Sequence, residues 1–177
     1  MLHRAGAPAW CPRSRVRTPA VGPTLARGGF ATVRAMFDFP DFHKIGVAEF
    51  GNHENRCHHL DCTETYDGLD PTVWDQSSNV EAAGRLKGKL PLVHGGLDDN
   101  VSPHQTLRLV DRIIAHDKDF DLLIIPGAEH AYLGFEHYVA RRRWDYLVRG
   151  LMGIEPPEGR LTPAPTGTEM IAEFMMT

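Results

Sequence analysis

The chain is short of cysteine, has no long apolar run and carries no surplus of positive charge, and each shortage removes a class of protein. Three cysteines in 177 residues, Cys11, Cys57 and Cys62, cannot build a disulfide framework for a domain of this length, and only a single Cys57–Cys62 bridge is left open. No stretch approaches the ~18 consecutive apolar residues of a membrane-spanning helix. With 19 Lys and Arg against 23 Asp and Glu, the formal net charge is −4, so no global basic field exists to attract nucleic acid. Residues 1–27 lack acidic side chains altogether while carrying Arg4, Arg13, Arg15, Arg17 and Arg27 among Pro8, Pro12, Pro19 and Pro23. Those prolines oppose the amphipathic helix of a transit peptide, and no apolar stretch follows Met1 to make a secretory leader. The segment reads as a disordered leader. The remaining composition, 42% hydrophobic and 24% charged overall, is that of one ordinary globular domain.

From Gly28 onward helical and strand signals alternate, the pattern of an α/β fold with a parallel sheet and helices on both faces. Strands are expected at 45–50, 89–94 and 120–125, and helices at 30–37, 79–86, from Ser102, and at 136–152. Pro91 is awkward within its strand because it offers no amide to a ladder. Ser102, Pro103 and Gln105 form a helix start, with a hydroxyl cap, proline at the first position and the glutamine of a capping box. Leu107, Val110, Ile113 and Ile114 give that helix its apolar face, and Ala140, Trp144, Leu147, Val148 and Leu151 give the last helix its own. Residues 53–75 have no clear period and read as an excursion with room for one short helix. Three units follow: 1–27 as leader, 28–153 as the folded domain, and 154–177 as a loose tail rich in proline, glycine and threonine.

Two loops leave the ends of neighbouring parallel strands, where ligands and chemistry gather in open α/β sheets. The first is His94-Gly95-Gly96-Leu97-Asp98-Asp99-Asn100-Val101, and the second is Pro126-Gly127-Ala128-Glu129-His130-Ala131. An acid on one loop and a histidine on the next can meet on one rim. That order suits a hydrolase triad, in which the acid fixes the imidazole tautomer and the imidazole serves as general base.

The run from Leu92 to Val101, with Gln105 to Asp111 and Asp119 to Gly127, resembles the C-terminal part of the catalytic domain of the prolyl oligopeptidase family, closest to the dipeptidyl peptidase IV type. The resemblance covers residues 27–157 and is strong over 79–151. It implies a partial α/β-hydrolase fold lacking its N-terminal strands, a peptide substrate, no cofactor, no nucleic acid and no membrane. It also implies that Asp98 is the triad acid and that His130, from a G-x-x-H motif, is the base. The segment from Thr24 to Ala31 aligns with the family's G-x-S-x-G-G nucleophile elbow: Gly28 and Gly29 hold the two glycines, Thr24 replaces the first glycine, and Ala26 stands where the serine belongs. A methyl group cannot attack a carbonyl. The isolated chain is therefore expected to be inactive. Since residues 1–26 resemble nothing in the family, the elbow strand is expected to be lost, leaving the edge near Ile45 open to self-association. The family's glycine after the base is replaced by Ala131, which strains the loop if that position needs positive φ.

One competing constellation exists. His53, Cys57, His58, His59 and Cys62 are of the types that hold zinc, although the spacing follows no tight knuckle. The alternative reading is accordingly a non-catalytic binding or complementing module, with zinc at the Cys57/Cys62 segment as its metal version. Asp99 and Asn100 are read as shaping their loop, Glu129 as a solvated carboxylate, and Arg141, Arg142 and Arg143 as a solvated face or partners for nearby carboxylates.

Overall fold

The computed structural model describes residues 20–24, 27–57, 64–65 and 67–163, with the backbone alone for 20–24 and Arg27. Its elements in chain order are β1 (Ala20–Thr24), α1 (Arg27–Asp38), β2 (Ile45–Glu49), α2 (Pro71–Ser77), α3 (Asn79–Ala82), β3 (Pro91–Gly95), α4 (His104–Ala115), β4 (Asp121–Ile125) and α5 (Glu136–Leu147). The four strands lie in the order β1-β2-β3-β4, and every pair is parallel. All strands therefore point their carboxyl ends toward one rim.

Period-2 alternation divides the core between the two faces of the sheet. Leu90, just before β3, and Leu92 within it join Ala48 of β2 in one cluster, under Val33, Met36 and Phe37 of α1, Val80 and Ala82 of α3, and Leu109, Val110 and Ile113 of α4. Val93, the residue after Leu92 and on the other face, belongs to a second cluster with Ile125, Ala128, Tyr132 and Val139 of α5. Helices thus cover both faces. β2 is buried along its whole length, while β4, at one edge, is exposed at Asp121 and Leu122.

Four expectations need correction. The elbow strand is present: Ala20–Thr24, within the segment read as leader, pairs with β2 and covers the edge near Ile45. Pro23 is tolerated there because an edge strand needs a ladder on one side only, and the pairing shifts register between Val21 and Thr24. The expected face of α4 is also displaced. Leu107 and Ile114 are exposed, whereas Gln105, Thr106, Leu109, Val110 and Ile113 are buried. The capping box closes only at its hydroxyl: Ser102 Oγ accepts from His104 N at 3.4 Å, while Gln105 Oε1 has no partner among the described residues. On α5, Val139 is the buried residue and Trp144 is 55% exposed; the helix passes through a π-turn at Val148–Met152 and ends at Gly153, φ 67°.

Pro91 has the expected effect. The β2–β3 ladder holds at Ile45–Lys89 and again at Ala48–Leu92 and Glu49–Val93, and it is interrupted in between, where proline offers no N–H. The excursion after β2 is held by polar contacts. Asp70 caps α2 by accepting from Thr72 N, and Asn79 Nδ2 donates to Phe30 O at 3.1 Å, tying α3 to α1.

Phe37 is fully buried in the first cluster. Phe37→Ala is expected to lower the unfolding free energy by about 3–5 kcal/mol, read from urea denaturation of the two chains in parallel.

Candidate active site

The two loops named from the sequence meet because their backbones touch. Gly96 N donates to Ile125 O at 2.8 Å and Leu97 N to Ala128 O at 2.9 Å. A methyl at Gly95 would lie 2.5 Å from Ala128 O and 2.6 Å from Glu129 O, and one at Gly96 would lie 2.9 Å from Pro126 Cα. Any larger residue at either position would push the loops apart. The glycine pair after β3 is thus a packing requirement of the loop after β4.

Loop contact brings Asp98 and His130 together. His130 Nδ1 and Asp98 Oδ2 are 2.8 Å apart. The other carboxylate oxygen, Oδ1, accepts from Asn100 N at 3.0 Å and Val101 N at 2.9 Å, an Asx-type turn that fixes the acid to its own loop. The Asp98 side chain is fully buried and that of His130 is 26% exposed. Since Asp98 accepts at both oxygens, His130 carries its proton on Nδ1, and Nε2 is left as the basic nitrogen. This is the pairing the sequence called for. Residue 26, the position aligned with the nucleophile, lies outside the described residues. The neighbouring Gly29 is described: a methyl on it would collide with Glu49 O, so this glycine lets α1 start against the end of β2.

Strained backbone surrounds His130. Ala131 has φ 72° and Tyr132 φ 54°, so the position after His130 does need positive φ. Phe50, just past β2, has φ 50°, an outlier for a bulky residue. Its buried ring lies 4.7 Å from His130 and 3.8 Å from Tyr132, centroid to centroid, and so supports the imidazole from below. Burial pushes the Tyr132 phenol up, with Glu49 adding to the effect.

Sequence reasoning named Arg143 as a partner for nearby carboxylates and His53 as a zinc-type side chain, and passed over Glu49 and Glu54. Glu49, at 1% exposure, takes a bidentate pair from Arg143 of α5, both contacts 2.8 Å; the arginine run supplies a half-buried partner as well as a solvated face. Buried His53 faces Asn79 Nδ2 through Nδ1 at 3.3 Å, and burial brings its pKa down to about 3, with His94 contributing. Glu54 is held below the ordinary carboxylate range by hydrogen bonds from Arg56 and Ser78, which outweigh a desolvation effect that is individually the largest and acts the other way. No single motif signals these pairs, because each joins residues far apart in the chain or within an aperiodic loop.

For the metal alternative, Cys57 is an exposed free thiol whose Sγ is 2.6 Å from Arg108 Nη1. Cys62, His58 and His59 lie outside the described residues, and among the described residues no three His, Cys, Asp or Glu side chains converge as a ligand set. Glu129 is exposed, as expected. Among the described residues no helix is long and apolar enough to cross a membrane.

An acid and a histidine on successive loops at the carboxyl rim of a parallel sheet define a site of the α/β-hydrolase type. The comparisons agree. Residues 26–153 match the model of the prolyl oligopeptidase family, more than half of the chain, and the chain belongs to that family, on its dipeptidyl peptidase IV-like side. It is 30% identical over 135 residues, 71% of its length, to a probable dipeptidyl-aminopeptidase B of Coccidioides posadasii. To dipeptidyl peptidase family member 1 of Caenorhabditis elegans it is 28% identical over 122 residues. The chain spans 15% of the length of each of these relatives. Dipeptidyl peptidase 4 of Porphyromonas gingivalis superposes with a TM-score of 0.70 at 23% identity, over 73% of this chain and 19% of that one. For a putative dipeptidyl aminopeptidase IV of Bacteroides ovatus the TM-score is 0.65 at 24% identity, over 70% and 18%. The domain is serine peptidase-like.

Two outcomes are expected. Ala131→Gly, which removes an exposed methyl from a left-handed position, raises stability by about 0.5–1 kcal/mol, measured as a shift in the denaturation midpoint. The second concerns acid. The His53 value is lower folded than unfolded, so the unfolded chain binds more protons between the two values. Its stabilising contribution is complete above pH 6.5 and is lost as pH falls toward 3, by about 1.4 kcal/mol per pH unit. His94 acts in the same direction. Denaturation curves at pH 7, 6 and 5 read the slope, which flattens in His53→Gln.

Proposed function

We propose that this chain carries the acid and base of a serine peptidase triad, Asp98 and His130, with Ala26 at the position of the nucleophile, so that the chain as it stands forms no acyl-enzyme. The observation that carries the reading is the 2.8 Å contact of His130 Nδ1 with Asp98 Oδ2 on the rim where β1 leads toward α1. In the reaction of such a triad, the base takes the serine proton as the oxygen attacks the peptide carbonyl, and later returns a proton to the leaving amine. Here Nε2 of His130 is the atom available for that transfer, and Asp98 stabilises the imidazolium formed. What is missing is the oxygen that would become acylated. Removing a triad serine lowers turnover by about 10^6, so acid and base without it leave no practical hydrolysis. The substrate class is a peptide, taken from the family.

Incubation with a fluorophosphonate probe reads the proposal directly. No labelling is expected for the natural chain. Ala26→Ser is expected to gain labelling, and to lose it again when His130→Ala is added. Labelling of the natural chain, or labelling of the serine variant that does not depend on His130, overturns the assignment.

A further inference from the structure

A second histidine contacts the acid. His94, in β3, is fully buried, and both of its ring nitrogens are occupied. Nδ1 is 2.8 Å from Thr106 Oγ1 of α4. Nε2 is 2.8 Å from Val101 O and 3.2 Å from Asp98 Oδ2. A carbonyl oxygen only accepts, so Nε2 carries the hydrogen and Nδ1 accepts from the threonine hydroxyl. Burial favours this neutral form. The ring also stands edge-on to Phe50, at 6.0 Å and 76°, the same phenylalanine that supports His130.

We propose that His94 is a positioning residue for the acid–base pair: its Nε2–H, shared between Val101 O and Asp98 Oδ2, aims the carboxylate at His130. The proposal rests on the reading of Asp98 and His130 as acid and base, and goes beyond it by adding the group that holds the acid. Thr106 and Val101 alone satisfy a buried imidazole. The third contact falls on the oxygen that also receives His130, and this couples the two histidines through one atom. Oδ1 is pinned by backbone amides of its own loop, so the backbone fixes one end of the carboxylate and His94 the other. The chain of contacts runs from α4 through Thr106, His94 and Asp98 to His130, which links the base to a helix on the opposite face of the sheet from α5.

The test reads the tautomer of His130 by long-range proton–nitrogen correlation NMR on the histidine-15N-labelled full chain, at a pH where the imidazoles are neutral. The natural chain is expected to hold His130 with its proton on Nδ1. In His94→Phe, which keeps a buried ring without the donor, the ratio of the Nδ1–H to the Nε2–H form is expected to fall by a factor of about five to ten, the loss of one hydrogen bond. His94→Gln, whose side-chain amide can donate to the same acceptors, retains most of the preference. Thr106→Val disturbs His94 from its far side without touching Asp98, lowers the ratio in the same direction, and carries the test if His94→Phe does not fold. An unchanged ratio in the folded variants, whatever their melting temperature, overturns the positioning role and leaves the acid–base reading standing. A natural chain with no Nδ1–H preference at His130 overturns that underlying reading instead.

Discussion

Everything at the rim depends on the close approach of two loop backbones. Gly95 and Gly96 let the loop after β3 lie against Ala128, Glu129 and Pro126 of the loop after β4, and two backbone hydrogen bonds close the contact. Asp98 and His130 meet as a consequence. Their 2.8 Å separation is set by main chain, and main chain leaves little freedom once the sheet register is fixed. Paired residues of β3 and β4 run without a break from Pro91–Asp121 to Gly95–Ile125, so the rim inherits the rigidity of the strands beneath it.

Strain collects where that rigidity is used. Phe50, Ala131 and Tyr132 all have positive φ, and all three lie beside the imidazole or follow it in sequence. Such conformations cost about 1–3 kcal/mol each and persist only when the surroundings over-determine them. Here the surroundings are the second core cluster and the pair of buried Glu49 with half-buried Arg143, which fastens α5 to the end of β2. Breaking that pair would leave a charge without compensation inside the protein. The fold under His130 is therefore stiff for two reasons, apolar packing and an ion pair that cannot be opened cheaply.

Much of this was legible in the residues. Strand alternation and glycine placement gave three of the four strands, and the order of acid and histidine on successive loops gave the pair, because parallel topology forces such loops onto one rim. β1 was not legible: Pro23 and the absence of acids argued for a leader, and the pairing that tolerates a proline at an edge comes from β2, which a local pattern does not contain. The faces of α4 and α5 were misplaced since Leu107, Ile114 and Trp144 look like core by hydrophobicity alone, while Gln105 and Thr106 do not; which side is buried is decided by the sheet, and Thr106 goes inside to meet His94. The role of that histidine, named only as the start of its loop, was hidden for a related reason. A buried imidazole near the end of an apolar strand has no signature until its three partners are in place.

Asp98 and His130 are carried on the loops after β3 and β4, and the position we propose for the nucleophile falls on a different crossover, between β1 and α1. The described contacts that hold Asp98 to His130 lie in the loops after β3 and β4. On the proposed reading, the alanine there removes the reaction and leaves these contacts in register. Two members of the proposed triad would in this way outlast its chemistry, kept as an ordinary piece of well-packed protein.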